Sequence, residues 1–182
     1  MTRNLMVVAV LLAGGPAWAQ APTDGLTFRF VVDGPLRPPA HGLEWVNGSP
    51  DDVLCFEGVA QAPDNARQAY GRATGCARIV AQLPLAGGGA VLALQVRHVI
   101  ALTRGDIVDD DFAIVVPLLD SPTRTYTHGL TATTDEPNIL PEFGTGAFRN
   151  RAGTVGVNGA LDLSAFPDWI RFDAIFTIRL AQ

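Results

Sequence analysis

The sequence contains no lysine: all 13 of its basic residues are arginines, and they face 18 acidic residues, for a formal net charge of −5. We interpret the missing lysine as a coding bias typical of bacteria with GC-rich genomes. The shortage of positive charge excludes the basic face that nucleic-acid binding requires, and it disfavours binding to anionic membrane surfaces. We therefore expect neither partner.

The sequence also lacks an apolar stretch of the roughly 20 residues that a membrane-spanning helix needs. The unbroken apolar run at residues 5–13 is shorter, follows Arg3, and precedes small residues at Ala17 and Ala19. A basic start, an apolar centre and an A-x-A site are typical of a cleavable secretory signal peptide. We predict that the first 19 residues are the signal. Residues 20–182 then form a single periplasmic or secreted domain with no membrane span.

Cysteine is scarce, with only Cys55 and Cys76. Exported compartments oxidise thiols, so an even pair there favours a disulfide. The midpoint of the pair falls in the turn-like residues 62–65, and a hairpin folded there would bring the cysteines together. Closing this loop would contribute about 3 kcal/mol. A redox pair or a metal site is the alternative, although neither C-x-x-C spacing nor a nearby histidine supports it.

Helical periodicity is absent, and short apolar or alternating runs recur between Gly, Pro, Asn and Asp. This pattern predicts an all-β domain. The last run is the clearest, because alternate residues from Ile170 to Leu180 are apolar. About eight strands favour an eight-stranded antiparallel closed β-barrel, with a sandwich as the alternative. The predicted strands are 26–32, 52–59, 69–81, 90–102, 107–119 (one or two strands), 124–133, 153–157 and 169–180.

Familiar catalytic and metal-binding motifs are missing as well. There is no G-x-S-x-G elbow, and His41, His98 and His128 lack metal-ligand spacing. The acidic run at residues 109–111 lacks the spaced ligands of a calcium loop, so we interpret it as a solvated turn. We therefore expect no metal and no cofactor, and we assign no catalytic residue.

Three residues are candidates for the barrel cavity: His98, Arg78 and Glu57. His98 lies on the more apolar face of its strand, where it would act as an acid or base if that face points inward. The alternative is a buried histidine bonded to a hydroxyl or carbonyl group. Glu57 and Arg78 lie on the cysteine-bearing faces of their strands and would form a polar pair, either in the cavity or on the outer surface.

Several segments resemble those of the allene oxide cyclase and dirigent family. The turn Gly144-Thr145-Gly146-Ala147-Phe148, followed by Gly153, is similar to the family's G-T-G-x-[FY] signature. The other similar segments, in the family's order, are 52–56, 75–78 and 102–107, so the resemblance covers the chain from about residue 51 onwards. The G-T-G is a tight turn rather than a dinucleotide loop, since no helical pattern follows it.

The resemblance implies a calycin-type barrel, and its dirigent members imply a trimer. The chain departs from the family at Phe143, where the signature has another glycine. The plant cyclase's catalytic carboxylate and asparagines match no position. The function we expect is the holding of a small apolar molecule inside the barrel. The alternatives are a cyclase, isomerase or dirigent-type guide of a cyclisation, and a structural or interaction protein with a solid core.

Overall fold

A computed structural model describes residues 25–37, 53–86, 88–118 and 126–181. The predicted signal peptide, with Ala17 and Ala19 at its cleavage site, and His41 lie outside these ranges. The strands are β1 (Leu26–Pro35), β2 (Leu54–Ala62), β3 (Asn65–Pro84), β4 (Ala90–Leu102), β5 (Gly105–Pro117), β6 (His128–Ala132), β7 (Gly153–Asp162) and β8 (Trp169–Leu180). Two single turns of 3-10 helix, Pro141–Phe143 and Gly146–Phe148, precede β7.

The eight strands form one closed antiparallel sheet. Each strand pairs with the next along the chain, and β8 pairs with β1 in a ladder that runs from Leu26 opposite Ile178 to Pro35 opposite Trp169. The prediction of eight antiparallel strands is confirmed. Closure matters because an open sheet would present unpaired N–H and C=O groups at its edges. No helix in the described part of the chain is long and apolar enough to cross a membrane.

The inner face of the sheet holds the main core, in which aromatic rings fill one half of the barrel. Phe28, Phe30 and Phe176 are fully buried. The Phe28 and Phe176 rings stack with centroids 5.2 Å apart, and Phe30 meets Phe176 edge-on at 5.4 Å. Such edge-to-face and offset pairs add to the free energy gained by burying the rings. On β8 the buried residues are alternate ones, as the sequence predicts.

The predicted disulfide between Cys55 and Cys76 is confirmed. A turn at Pro63 and Asp64 joins β2 to β3, and the cysteines lie directly opposite each other with their Cα atoms 4.0 Å apart. They point away from the barrel interior and form a small second cluster with Val53. The bond therefore ties β2 to β3 without entering the interior.

The G-T-G turn closes the end of the barrel where β4 turns into β5. Thr145 Oγ1 accepts a hydrogen bond from the Asp106 backbone N–H at 2.9 Å and donates one to the Asp106 carboxylate at 3.0 Å. Gly146 has a φ of +55°, and a Cβ there would lie 2.3 Å from the Arg104 carbonyl oxygen. Glycine is required because the turn packs directly on this backbone. Phe148 packs against the main core, and Gly144 lies beside the turn's own backbone.

Candidate functional site

The other half of the barrel is hollow and encloses a cavity of about 560 Å³. The inward residues of β4 show how it is oriented: Leu92 and Leu94 are half-buried, whereas Val96 and His98 are 4 % and 3 % exposed. Phe166, 46 % exposed, also lines it. The cavity therefore opens at the Leu92 end of β4 and has its floor at His98. Its size suits one small ligand.

The walls of the cavity are almost entirely apolar. Of the described residues that line it, all are Leu, Ile, Val, Ala or Phe except Arg78, His98 and Asp111. Ala113 and Ala132 on β5 and β6 are each 2 % exposed, and their small side chains leave the space that larger ones would fill. The transfer of a hydrocarbon ligand from water to such walls would be favourable.

The floor carries a buried polar cluster that spans two strands. His98 on β4 lies opposite Asp109 on β5, and His98 Nδ1 is 3.1 Å from Asp109 Oδ2. Asp111, one inward position further along β5, has an Oδ2 atom 3.9 Å from the same nitrogen. All three side chains are at least 96 % buried. Groups so far from water need partners, because burying them alone costs several kcal/mol.

Asn138, in the segment before the 3-10 turns, anchors the far side of the cluster. Its amide Nδ2 donates a hydrogen bond to Asp111 Oδ1 and another to the Val155 carbonyl at 3.0 Å. Its Oδ1 accepts the Val155 backbone N–H at 2.7 Å. The amide is thus oriented by β7, so Asp111 meets a fixed donor on one of its oxygens.

Asp111 retains its proton at neutral pH. Burial, followed by the nearby charge of Asp109 and a hydrogen bond with it, raises the pKa of Asp111 to about 9. Asp109 Oδ1 and Asp111 Oδ2 are the two buried side-chain oxygens in the described residues that have no partner when both carboxyls are ionised. A proton on Asp111 allows a hydrogen bond between the two carboxyl groups. The cluster then forms one continuous chain of hydrogen bonds from His98 to Val155.

The same three side chains offer one ligand atom each within 4.8 Å of one another, a set that a divalent cation would accept. Cation binding would need both carboxylates ionised and His98 Nδ1 deprotonated. A cation would therefore have to displace the proton of Asp111, whose pKa burial raises. We expected no metal because the histidines lack metal-ligand spacing along the sequence. That criterion cannot detect ligands that come together from two neighbouring strands.

The acidic run at residues 109–111 is not the solvated turn that the sequence suggested. It lies in the middle of β5, where Asp109 and Asp111 point inward and Asp110 points outward. Asp110 accepts a bidentate ion pair from Arg97 at 2.6 Å on the outer face. The sequence could have predicted the inward orientation, because Asp109 and Asp111 are alternate residues in the same series as the buried Ile107 and Val115.

His98 is the one predicted cavity residue that the cavity floor contains. Its partner is the Asp109 carboxylate rather than a hydroxyl or carbonyl group. Arg78 borders the cavity, but strand register pairs it with Gln95 on the outer face, and its guanidinium donates to Gln95 Oε1 at 2.8 and 3.1 Å. Glu57 is not a cavity residue: it lies on the outer face, exposed, 3.5 Å from Arg37.

No known protein family has a model that matches this chain, and a search of curated proteins finds no significant relative. The functional argument therefore starts from the cavity and the cluster at its floor.

Proposed function

We propose that this protein is an exported binding protein that holds one small, predominantly apolar molecule inside its barrel. The observation that carries the proposal is the apolar cavity of about 560 Å³, open at one end and closed by aromatic rings at the other. A barrel of eight strands has room for one such ligand. Filling the cavity would supply the packing contacts that its wall residues lack.

Export is part of the proposal. The N-terminal pattern is typical of a secretory signal, and a disulfide is stable in an oxidising compartment but rare in the cytosol. The proposal also includes membership of the allene oxide cyclase and dirigent group with its calycin-type barrel. Support comes from the strand count and from the place of the G-T-G turn at the closed end.

Native mass spectrometry of the protein isolated from the cells that make it tests the binding function. We expect a reproducible small apolar adduct. In the stripped protein, thermal unfolding with a panel of terpenes, fatty alcohols and cyclic ketones should show stabilisation. A ligand at 100 times its dissociation constant stabilises by about 2.7 kcal/mol, a shift of roughly 5–10 °C in a domain of this size.

A matched pair of substitutions places the ligand in the cavity. Ala113→Trp inserts an indole into the hollow half of the barrel, whereas Ala93→Trp inserts the same ring on the outer face, where Ala93 pairs with Ile114. The first variant should lose the adduct and the thermal shift, and the second should keep both. Wild-type protein without an adduct and without a shift across the panel would contradict the proposal, as would equal binding by both variants.

A further inference from the structure

The edge of the His98 ring that carries Nε2 projects into the barrel. Its orientation is fixed on both sides: Nδ1 faces Asp109 on β5, and Cδ2 faces Gly75 on β3, where a Cβ would lie 3.0 Å away. The ring also meets Phe176 edge-on, with centroids 4.9 Å apart. His98 lines the cavity and Asp109 does not. A bound molecule therefore meets the Nε2 edge of the ring.

The hydrogen bond to Asp109 determines which nitrogen carries the proton. A carboxylate only accepts hydrogen bonds, so His98 Nδ1 is the donor and carries the hydrogen. In the neutral ring, Nε2 then presents a lone pair to the cavity. Nucleophile-activating and proton-abstracting histidines are oriented by a carboxylate in this way. Here no serine, threonine or cysteine is among the described residues that line the cavity, so the lone pair faces the ligand itself.

We propose that His98 Nε2 is the base of a proton-transfer isomerisation, in which a bound apolar ketone with an unconjugated double bond becomes the conjugated enone. The inference rests on the proposed binding function, because the substrate is the molecule in the cavity. The apolar walls around His98 exclude an ammonium or carboxylate group from the floor, because it would lose its hydration there. Among neutral apolar molecules, the C–H bond between a carbonyl group and a double bond is one of the most acidic, because the anion left behind is delocalised over the carbonyl group and the double bond.

The reaction balances without a co-reactant. His98 Nε2 removes a proton from the carbon between the carbonyl group and the double bond, so a C–H bond breaks and an N–H bond forms. The released electron pair enters a dienolate. The imidazolium returns the proton to the far carbon of the former double bond, which breaks the N–H bond and leaves the conjugated ketone. Asp109, which does not line the cavity, stabilises the imidazolium and is a positioning residue, and Asp111, which does line it, holds Asp109.

The test uses a series of unconjugated cyclic enones, from cyclohex-3-enone to a steroid ketone, with purified full-length mature protein in deuterium oxide. We expect wild-type protein to form the conjugated enone with a substrate-derived hydrogen at the new C–H position, because the imidazolium returns the proton that it removed; a route through solvent would place deuterium there. His98→Gln should lower the rate by about 10²–10⁴-fold, the range for removal of a general base, while still giving a thermal shift with the ketone. His128→Gln is the matched control, because His128 does not line the cavity and bonds to Thr127; it should retain the wild-type rate.

Asp109→Asn separates positioning from folding, since it should lower kcat with little change in KM. Two results would overturn the inference while leaving ligand binding intact. One is a ketone that shifts the unfolding temperature of wild-type protein and His98→Gln equally but is not isomerised by either. The other is one bound divalent cation per chain with activity that chelation removes, which would make the cluster a metal site. Failure of every ketone to bind would contradict the binding function as well.

Discussion

Changing Asp111 to asparagine should flatten the dependence of stability on pH above neutrality. Burial and the charge of Asp109 raise the pKa of Asp111 to about 9 in the folded protein, against about 3.9 for an unfolded aspartate. The folded state therefore keeps a proton that the unfolded state has released. Because the folded pKa is the higher one, this stabilising contribution is complete below about pH 4 and is lost as the pH rises towards about 9.

A difference of one bound proton changes the free energy of unfolding by about 1.4 kcal/mol per pH unit, or about 2 kcal/mol between about pH 7 and 8.5. The other groups with shifted pKa values change the free energy of unfolding mainly outside this pH interval. Burial lowers the pKa of His128 in the folded protein from its ordinary value of about 6.5, so the effect of this residue falls mainly below about pH 7. Pairing with Arg29 lowers the pKa of Asp173, whose effect falls below about pH 5. Burial raises the pKa of Tyr126, whose effect lies above about pH 10.

The assay is urea unfolding of the disulfide-bonded protein at several pH values in this interval. Asparagine at position 111 offers an N–H to Asp109 and an oxygen to Asn138, as a protonated aspartate does. The variant should therefore remain folded, and its free energy of unfolding should no longer fall with pH in this interval. Asp110→Asn, on the outer face of the same strand, should keep the wild-type slope. Equal slopes in wild-type protein and Asp111→Asn, or a wild-type stability that does not fall in this interval, would refute the reasoning.

The remaining predictions concern the fold, and urea unfolding measures each. Phe176→Ala should lower the free energy of unfolding by about 3–5 kcal/mol because the ring is fully buried. Phe112→Ala should lower it by under about 1 kcal/mol because that ring is 67 % exposed. Equal losses would contradict the assigned inner face. Gly146→Ala should cost more than about 1 kcal/mol because its Cβ meets the Arg104 carbonyl, and Gly34→Ala, with open space around it, much less. Reducing the disulfide should cost about 3 kcal/mol, and an unchanged midpoint would exclude a stabilising role.

Alternation in the sequence predicted the strands that have one dry face and one wet face. The bounds of β4 and β8 agree with the prediction, and the predicted apolar face of β8 is the buried one. β3 begins at Asn65 rather than at residue 69, because its first residues are exposed on both faces and show no alternation. β7 runs on to Asp162 because it pairs with β8, although Gly156 and Gly159 interrupt the apolar pattern. Hydrogen bonding to the neighbouring strands sets these bounds, and the pattern of residues within one strand does not reveal it.

The candidate site was only half predictable for the same reason. His98 was recognised by the parity of its own strand, but its partners depend on the register between β4 and β5 and on Asn138, which lies outside any strand. Three consecutive aspartates suggest a solvated turn when they are judged by composition. Their alternation with buried neighbours identifies Asp109 and Asp111 as inward residues once the strand is assumed to continue.

The features of the barrel that lower its stability are concentrated in one half of it. In one half, phenylalanine rings fill the interior, and a fold shaped by stability alone would continue this packing. In the other half, Ala113 and Ala132 leave an apolar space empty, and three ionisable side chains lie buried at its floor. Each feature lowers stability, since unfilled space forfeits contacts and buried ionisable groups are often less stabilising than apolar ones of the same volume. Their coincidence at one place supports the proposed ligand site.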